Sequence, residues 1–179
     1  RVLPIAIGAR TACVASPTSG PTRVFASELC QHSEWSSAEP APRGSWQSYA
    51  MGVLEEVRGP SGIGPCVPLC LTIASDVPIG AGLSSSAALE VSLGLLLSRA
   101  WGRDASLAGI AAACHRAEHD YAGVPCGIMD QMVVASAVAG HAMLLDCGTG
   151  EVRMTPVPKA AVLVVVDTGV RHRLGESEY

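Results

Sequence analysis

The sequence predicts an α+β fold, in which a mixed β-sheet packs against helices. Strand-like and helical patterns follow one another without the regular strand–helix alternation of a doubly wound sheet. Apolar residues make up 49% of the 179 residues and charged residues 16%, which supplies a hydrophobic core and excludes a disordered chain. The length falls in the range of a single domain.

The first third of the chain is predicted to form short strands, a surface loop and one helix. Glycine and proline bound three strand-like stretches, Val2–Ile7, Thr11–Ala15 and Thr22–Ala26. The polar segment Ser33–Gly44 contains prolines and predicts a surface loop. Apolar residues then recur at helical spacing over Ser45–Val57, which predicts an amphipathic helix.

The rest of the chain alternates between helical and strand-like patterns. The predicted helices are Ser85–Arg99, Ser106–Ala122 and Gly127–Val138, and the predicted strands are Val67–Ala74, His141–Cys147 and Ala161–Asp167. The last two strands are apolar enough to be buried.

The charge of the chain argues against some classes of partner, and its cysteines indicate the compartment. A net charge of −4 and a pI near 5.7 argue against a nucleic-acid or anionic membrane surface. Lys159 is the only lysine, so the sequence has no lysine-dependent phosphate loop. The apolar run Ala160–Val166 is far shorter than the ~20 residues of a membrane-spanning helix. Seven cysteines, an odd number, and no signal peptide predict reduced thiols in a cytoplasmic protein.

A glycine- and serine-rich loop, PIGAGLSSSAA at Pro78–Ala88, lies between a predicted strand and a predicted helix. Glycines let backbone amides approach an anion, and serines at a helix start add hydroxyl groups beside unpaired N–H groups. The loop lacks the Gly-Lys-Ser/Thr ending of a Walker motif, and Ser85 stands where a dinucleotide fingerprint has its third glycine. A phosphate cradle and an ordinary glycine turn with a serine N-cap are both compatible with this pattern.

Two carboxylates flank the break between the next two predicted helices. Glu118 lies near the end of one helix and Asp130 in the first turn of the other, where helix amides favour an anion. A solvated Glu118 and an Asp130 that only charges the helix start are the simpler interpretations. His115 and His119 match the H-x-x-E-H pattern of some zinc proteases, but a short pattern of this kind arises often by chance.

Four segments, in order along the chain, resemble the galactokinase family within the GHMP small-molecule kinase superfamily. They are VPIGAGLSSSAALEVS, AEHDYAGVPCGIMDQ, GHAMLLDC and VRHRLGESEY. The resemblance implies a GHMP-type N-terminal domain over residues 1–155, incomplete at its start, and a truncated second α+β domain over residues 156–179. It also implies phosphorylation of the anomeric hydroxyl of galactose by ATP with Mg²⁺, in a cytoplasmic protein whose oligomeric state is open and for which a monomer is plausible.

The same resemblance implies a role for individual residues. Glu118 and Ser86 would hold Mg²⁺, Asp130 would act on the sugar hydroxyl as base or positioning charge, and Gly127 and Tyr179 would contact the sugar with Asp130. The nucleotide phosphates would lie against the loop residues Gly80, Ala81, Gly82, Leu83, Ser84, Ser85 and Ser86.

Some features of the family pattern are missing or changed. The sugar-binding signature with its arginine would lie upstream of Arg1, so the chain is expected to be an internal fragment without kinase activity of its own. Asp167–Gly169 and Met132 differ from what many relatives carry. The alternatives are a galactokinase-like sensor that binds ATP and galactose, and another GHMP kinase with a different acceptor. Sensors of that type have a shortened serine–alanine stretch, whereas Ser84–Ala88 is complete.

Overall fold

The computed structural model describes residues 1–35, 41–59 and 66–166, and it has the mixed α+β architecture that the sequence predicts. The strands are β1 (Thr11–Pro17), β2 (Arg23–Ala26), β3 (Gln31–Glu34), β4 (Leu69–Ser75), β5 (His141–Leu145) and β6 (Val152–Pro156). The helices are α1 (Trp46–Arg58), α2 (Ser85–Ala100), α3 (Leu107–Arg116) and α4 (Met129–Ser136), with a π-helical turn at Ala117–Ala122 directly after α3.

The main sheet has the strand order β1-β4-β2-β3 and mixes both kinds of pairing. β4 is antiparallel to β1 and parallel to β2, while β3 is antiparallel to β2. Along β4, Leu69, Leu71 and Ile73 are buried, whereas Cys70 and Thr72 between them are exposed. Because side chains alternate between the faces of a strand, one face of this sheet carries the core and the other meets solvent.

Helices α1 and α2 contribute to the core that covers the buried face of the sheet. Val53 and Leu54 of α1 and Leu93 and Leu97 of α2 are completely buried in the same cluster as the β4 side chains. α1 begins where the side chain of Ser45 accepts a hydrogen bond from an amide in its first turn. This packing fixes the direction of α2, and therefore the position of the loop that precedes it.

The π-helical turn packs closely against α1. Gly52 of α1 has no side chain, and a Cβ atom there would lie 2.9 Å from the Cβ of Tyr121 and 3.0 Å from that of Ala117. The turn ends at Gly123, whose φ of +74° is a conformation that glycine adopts at little cost. The predicted helix over 106–122 therefore has the right extent, but its last part is wider than an α-helix. Such π-turns occur frequently at functional sites.

The predicted strand Val2–Ile7 forms only isolated bridges. Val2 pairs with Leu145 and Ile5 with Ala142, both on β5 of the separate β5–β6 hairpin. Pro4 lies between the two bridges and has no N–H to donate, so a continuous ladder is interrupted there.

The predicted buried strand Ala161–Asp167 is wrong for the residues that the structure describes. Residues 161–166 form no strand, and Val162 and Val164 are 83% and 77% exposed. None of the described strands pairs with this segment, so it has neither the hydrogen-bond ladder nor the apolar cover that burial requires. Asp167 lies outside the described residues, and the proposed division of the chain after residue 155 stays a prediction.

Two short strands were not predicted. β3, with the sequence QHSE, has no apolar alternation and falls partly in the predicted loop, yet it pairs along β2. β6 forms an antiparallel ladder with β5, in which Val152 lies opposite Leu145 and Pro156 opposite His141. Among the described helices, none is both long and apolar enough to cross a membrane.

Candidate active site

The loop between β4 and α2 contains three residues with positive φ angles. Gly80 and Gly82 have φ angles of +69° and +72°, and Ser84 adopts a left-handed conformation at φ 58° and ψ 41°. A Cβ at Gly82 would meet no atom within 4 Å, so the conformation rather than space requires glycine there. Successive amides in turns of this kind form concave sites for anions.

The start of α2 leaves its first amides without a partner in the helix. The first helical bond runs from the N–H of Ala88 to the carbonyl of Ser84, at 3.0 Å. Ser84 occupies the N-cap position, but its hydroxyl makes no capping hydrogen bond. The structure therefore does not support the alternative in which a serine at this position is an ordinary N-cap. The free amides of the first turn and the positive end of the helix dipole both favour an anion at this point.

A buried polar cluster lies where α2, the π-helical turn and α4 meet. Glu90 of α2 and Gln131 of α4 are completely buried, and Glu118 of the π-helical turn is 1% exposed. The Gln131 Nε2 group donates to Oε2 of Glu90 at 3.1 Å and also to Oε2 of Glu118. The thiol of Cys126 donates to the same Glu118 oxygen at 3.3 Å. We refer to Glu90, Gln131 and Glu118 as the polar cluster.

Burial and mutual repulsion change the acid–base chemistry around the polar cluster. Desolvation, followed by the negative charge of Glu118, raises the pKa of Glu90 to about 9, so Glu90 is a neutral acid at pH 7. Burial and the same negative charge raise the pKa of Cys126 to about 12, which keeps its thiol protonated as a donor. They also raise the pKa of Tyr49, on the facing side of α1, to about 12.

Three buried oxygen atoms of the polar cluster lack a hydrogen-bond partner in the described part of the chain. They are the Oε1 atoms of Glu90, Glu118 and Gln131. A buried polar atom without a partner costs roughly 1–3 kcal/mol, and a charged one costs more. The unpartnered oxygen of Glu118 is therefore suited to receive a cation or a donor from a bound molecule.

Asp130 lies beside the polar cluster rather than within it. It is half-buried in the first turn of α4, directly before Gln131. Its negative charge contributes to the raised pKa values of both Glu90 and Cys126. Gly127 is exposed just before α4, and a Cβ there would meet no atom within 4 Å. Tyr179, the remaining predicted site residue, lies outside the described residues.

The loop and the carboxylates belong to one region because α2 connects them. Ser86 and Glu90 are four residues apart, and therefore lie on the same face of α2. Glu90 is in turn linked to Glu118 through Gln131. The structure thus connects α2, the helix that follows the loop, to Glu118 through Gln131, and Asp130 directly precedes Gln131 on α4.

Sequence reasoning missed Glu90, Gln131 and Cys126. A detectable signal was present for the first two, because each is a polar residue at a core-facing position of an otherwise apolar helix. Glu90 stands three residues after buried Ala87 and three before buried Leu93. Such positions are rarely polar unless the side chain is paired.

The histidines of the H-x-x-E-H pattern have local partners. His115 Nε2 lies 2.9 Å from the carbonyl oxygen of Cys126, and His119 Nδ1 lies 2.9 Å from the exposed carboxylate of Asp120. Across the residues that the structure describes, no group of three or more histidine, cysteine, aspartate or glutamate side chains could hold a metal ion. These contacts account for both histidines as structural groups of the helix.

The sequence matches a protein-family model and several curated proteins. Residues 48–140 match the model of the GHMP kinase N-terminal domain. A galactokinase from Chloroflexus aurantiacus is 39% identical over 186 residues, covering 99% of this chain and 46% of that protein. Galactokinases from Bos taurus and Homo sapiens are 42% and 41% identical, covering 75% and 80% of this chain. The chain spans 33–46% of the length of these curated relatives.

Solved structures show the same fold. The crystal structure of Lactococcus lactis galactokinase complexed with galactose matches with a TM-score of 0.77 and 25% identity, covering 87% of this chain and 41% of that one. A mevalonate kinase matches with a TM-score of 0.62 at 18% identity, covering 73% of this chain and 42% of that one, a likeness of fold alone.

Proposed function

Since the chain belongs to the GHMP kinase family, we propose that the whole protein is a galactokinase, which transfers the terminal phosphoryl group of ATP to the anomeric hydroxyl of galactose. The observation that carries this proposal is the 39–42% identity to three curated galactokinases. The segment that holds Glu118, Gln131 and Asp130 is also one of the four motifs that resemble that family. Phosphoryl transfer depends mainly on positioning and on neutralising charge, which suits a site built from amides and carboxylates.

In this proposal the loop from Gly80 to Ser86 binds the nucleotide phosphates. Its support is the positive φ of Gly80, Gly82 and Ser84, together with the unpaired amides at the start of α2. These groups offer N–H donors fixed in place before the nucleotide arrives. Fixed donors stabilise phosphate charge without a reorganisation cost at the moment of reaction.

The residues present fit a magnesium ion. Glu118 has one buried carboxylate oxygen without a partner in the described residues, and Ser86 offers a half-buried hydroxyl in the first turn of α2. Magnesium in nucleotide sites is commonly held by one or two protein oxygens together with substrate phosphates and water. When bound, the ion would neutralise charge on the phosphates of ATP.

Asp130 is proposed to face the reacting hydroxyl of the sugar. Its carboxylate would accept a hydrogen bond from that hydroxyl, orient the oxygen toward the phosphoryl group and receive its proton as the new bond forms. Asp130 is half-buried in the first turn of α4, directly before Gln131 of the polar cluster. Gly127 and Tyr179 are proposed to contact the sugar. Free thiols at all seven cysteines support a reducing compartment such as the cytoplasm.

The test is Asp130→Asn in the whole protein, assayed with galactose and ATP. We expect kcat to fall by about 10²- to 10⁴-fold, the usual contribution of a positioned acid or base, while ATP affinity stays within about twofold. Asp120→Asn is the matched control, because that carboxylate is 58% exposed and bonded to His119. An unchanged kcat in Asp130→Asn would contradict its role. A panel of sugars and small alcohols distinguishes a galactokinase from a kinase with another acceptor, and binding without turnover would indicate a sensor.

A further inference from the structure

We propose that Gln131 is a positioning residue that anchors one oxygen of Glu118 and leaves the other free for the metal ion. This inference rests on the proposed function, because it assumes that Glu118 binds the metal. Gln131 itself touches neither metal nor substrate in this proposal. It acts through Glu118.

The hydrogen bonds around Glu118 are unequal on its two oxygen atoms. Oε2 accepts from the Gln131 amide and from the Cys126 thiol, while Oε1 has no partner in the described part of the chain. A carboxylate held at one oxygen by two donors cannot rotate freely about its terminal bond. The free oxygen is therefore presented in one direction, which is what a preorganised metal ligand requires.

Gln131 can anchor Glu118 because it is itself held. Its amide nitrogen has two hydrogens, and it donates to Glu90 as well as to Glu118. A carbonyl oxygen in that place would face the acceptor oxygen of Glu118, so the amide orientation follows from the chemistry of that neighbour. The three side chains come from α2, the π-helical turn and α4, and all are at most 1% exposed. The side-chain amide of Gln131 therefore links all three elements through two hydrogen bonds.

The position of Gln131 also connects the two proposed roles in the site. It directly follows Asp130 on α4, so its anchored side chain fixes the first turn of the helix that carries Asp130. Loss of the two Gln131 hydrogen bonds is expected to weaken metal binding through Glu118, and to lower turnover as a consequence.

The test uses Gln131→Met in the whole protein, since methionine keeps the length of the side chain but has no N–H groups. The concentration of Mn²⁺ that half-saturates the protein is measured directly by electron paramagnetic resonance, with a non-hydrolysable ATP analogue present. We expect this concentration to rise about 10- to 100-fold, the range found when a partner of a metal ligand is removed, and kcat to fall. The melting temperature is recorded for every variant.

Three further variants keep the result interpretable. Met132→Leu alters the next buried residue of α4, which packs in a hydrophobic cluster with Met143 and Leu145, and it should leave Mn²⁺ affinity unchanged. Gln131→Asn is a second test if Gln131→Met does not fold, because its shorter amide cannot reach both carboxyl groups. Glu118→Gln tests the proposed function itself. If Glu118→Gln leaves Mn²⁺ affinity unchanged, the metal assignment fails. If Glu118→Gln weakens Mn²⁺ binding but both Gln131 variants bind it normally, even with lowered melting temperatures, the positioning role is wrong.

Discussion

Glu90 is the residue whose chemistry the fold changes most. A glutamate in water is ionised at neutral pH, but burial and the adjacent charge of Glu118 raise the pKa of Glu90 to about 9. As a neutral acid it accepts the Gln131 hydrogen bond without adding a second negative charge beside Glu118. The polar cluster therefore holds a neutral acid, Glu90, beside Glu118 at pH 7.

The raised pKa of Glu90 predicts how stability depends on pH in metal-free buffer. Between its ordinary value of 4.5 and the folded value of about 9, the folded protein binds a proton that the unfolded chain has lost. Stability from this group is thus complete below pH 4.5 and declines as pH rises toward 9. Glu90→Gln removes this dependence, so we expect its melting temperature to rise relative to the parent as pH increases from 5 to 9.

The matched control is Glu34→Gln, because Glu34 is 53% exposed and forms a surface ion pair with Arg23. Its melting temperature should follow that of the parent at every pH. Parallel curves for Glu90→Gln and the parent would show that Glu90 is ionised in the folded protein.

The sequence singled out Glu118 and Asp130, because each stands out beside a break between two helical patterns. It did not single out Gln131 or Cys126. Their contacts with Glu118 span 13 and 8 residues of chain and arise only when α4 and the preceding segment fold back on the π-helical turn. A pattern along one helix does not reveal which polar group from another helix will face it.

At the scale of elements, the loop before α2 and α2 itself act as one unit. The helix packs its apolar face on the sheet core, and this packing holds the loop amides in place. The left-handed conformations of the loop cost free energy for residues with a side chain, roughly 1–2 kcal/mol each. Ser84 bears this cost in the folded protein, and glycine avoids it at positions 80 and 82.

Gly82→Ala tests whether this backbone conformation serves nucleotide binding. No atom of the described residues lies within 4 Å of the added methyl group, so the change acts through the positive φ of +72°. We expect the KM for ATP to rise about tenfold, equivalent to roughly 1.4 kcal/mol, as the loop moves away from its binding conformation. The KM is measured at saturating galactose and Mg²⁺.

Gly102→Ala provides the same backbone strain at the far end of α2. Gly102 has a φ of +64°, and a Cβ there also meets no atom within 4 Å. Both variants should lose similar stability, but only Gly82→Ala should weaken ATP binding. Equal KM values for ATP in the two variants would mean that the loop conformation has no role in binding the nucleotide.

Elements with strong periodicity were predicted well, and those that depend on distant partners were not. α1 and α2 were predicted to within about one residue at each end, because apolar spacing and a serine at each start define them. β3 is polar throughout and exists because β2 offers it an edge. Residues 161–166 have the apolar pattern of a strand but no described neighbour to pair with. Pairing is a property of two segments, and one segment cannot reveal it.

At the scale of the whole molecule, the proposed site lies where helices from different parts of the chain converge. The polar cluster joins α2, the π-helical turn and α4, while Gly52 lets α1 approach that turn closely. Burial, followed by the negative charges of Glu118 and Glu90, raises the pKa of Tyr49 on α1. Because the site draws on so many elements, a ligand bound there is expected to stabilise the domain as a unit rather than one loop.

Nucleotide and metal should therefore stabilise the whole protein together. A ligand at 100 times its Kd adds about 2.7 kcal/mol to the free energy of unfolding when it binds only the folded state. We expect ATP with Mg²⁺ to raise the melting temperature more than ATP with EDTA, because the proposed ion would contact the Glu118 oxygen that has no partner among the described residues. In Glu118→Gln the difference between the two conditions should disappear, while the shift from ATP alone remains, since the loop amides are intact. An equal rise with and without Mg²⁺ in the parent protein would mean that the ion adds no stabilising contact, and Glu118 would then be a structural group of the buried cluster.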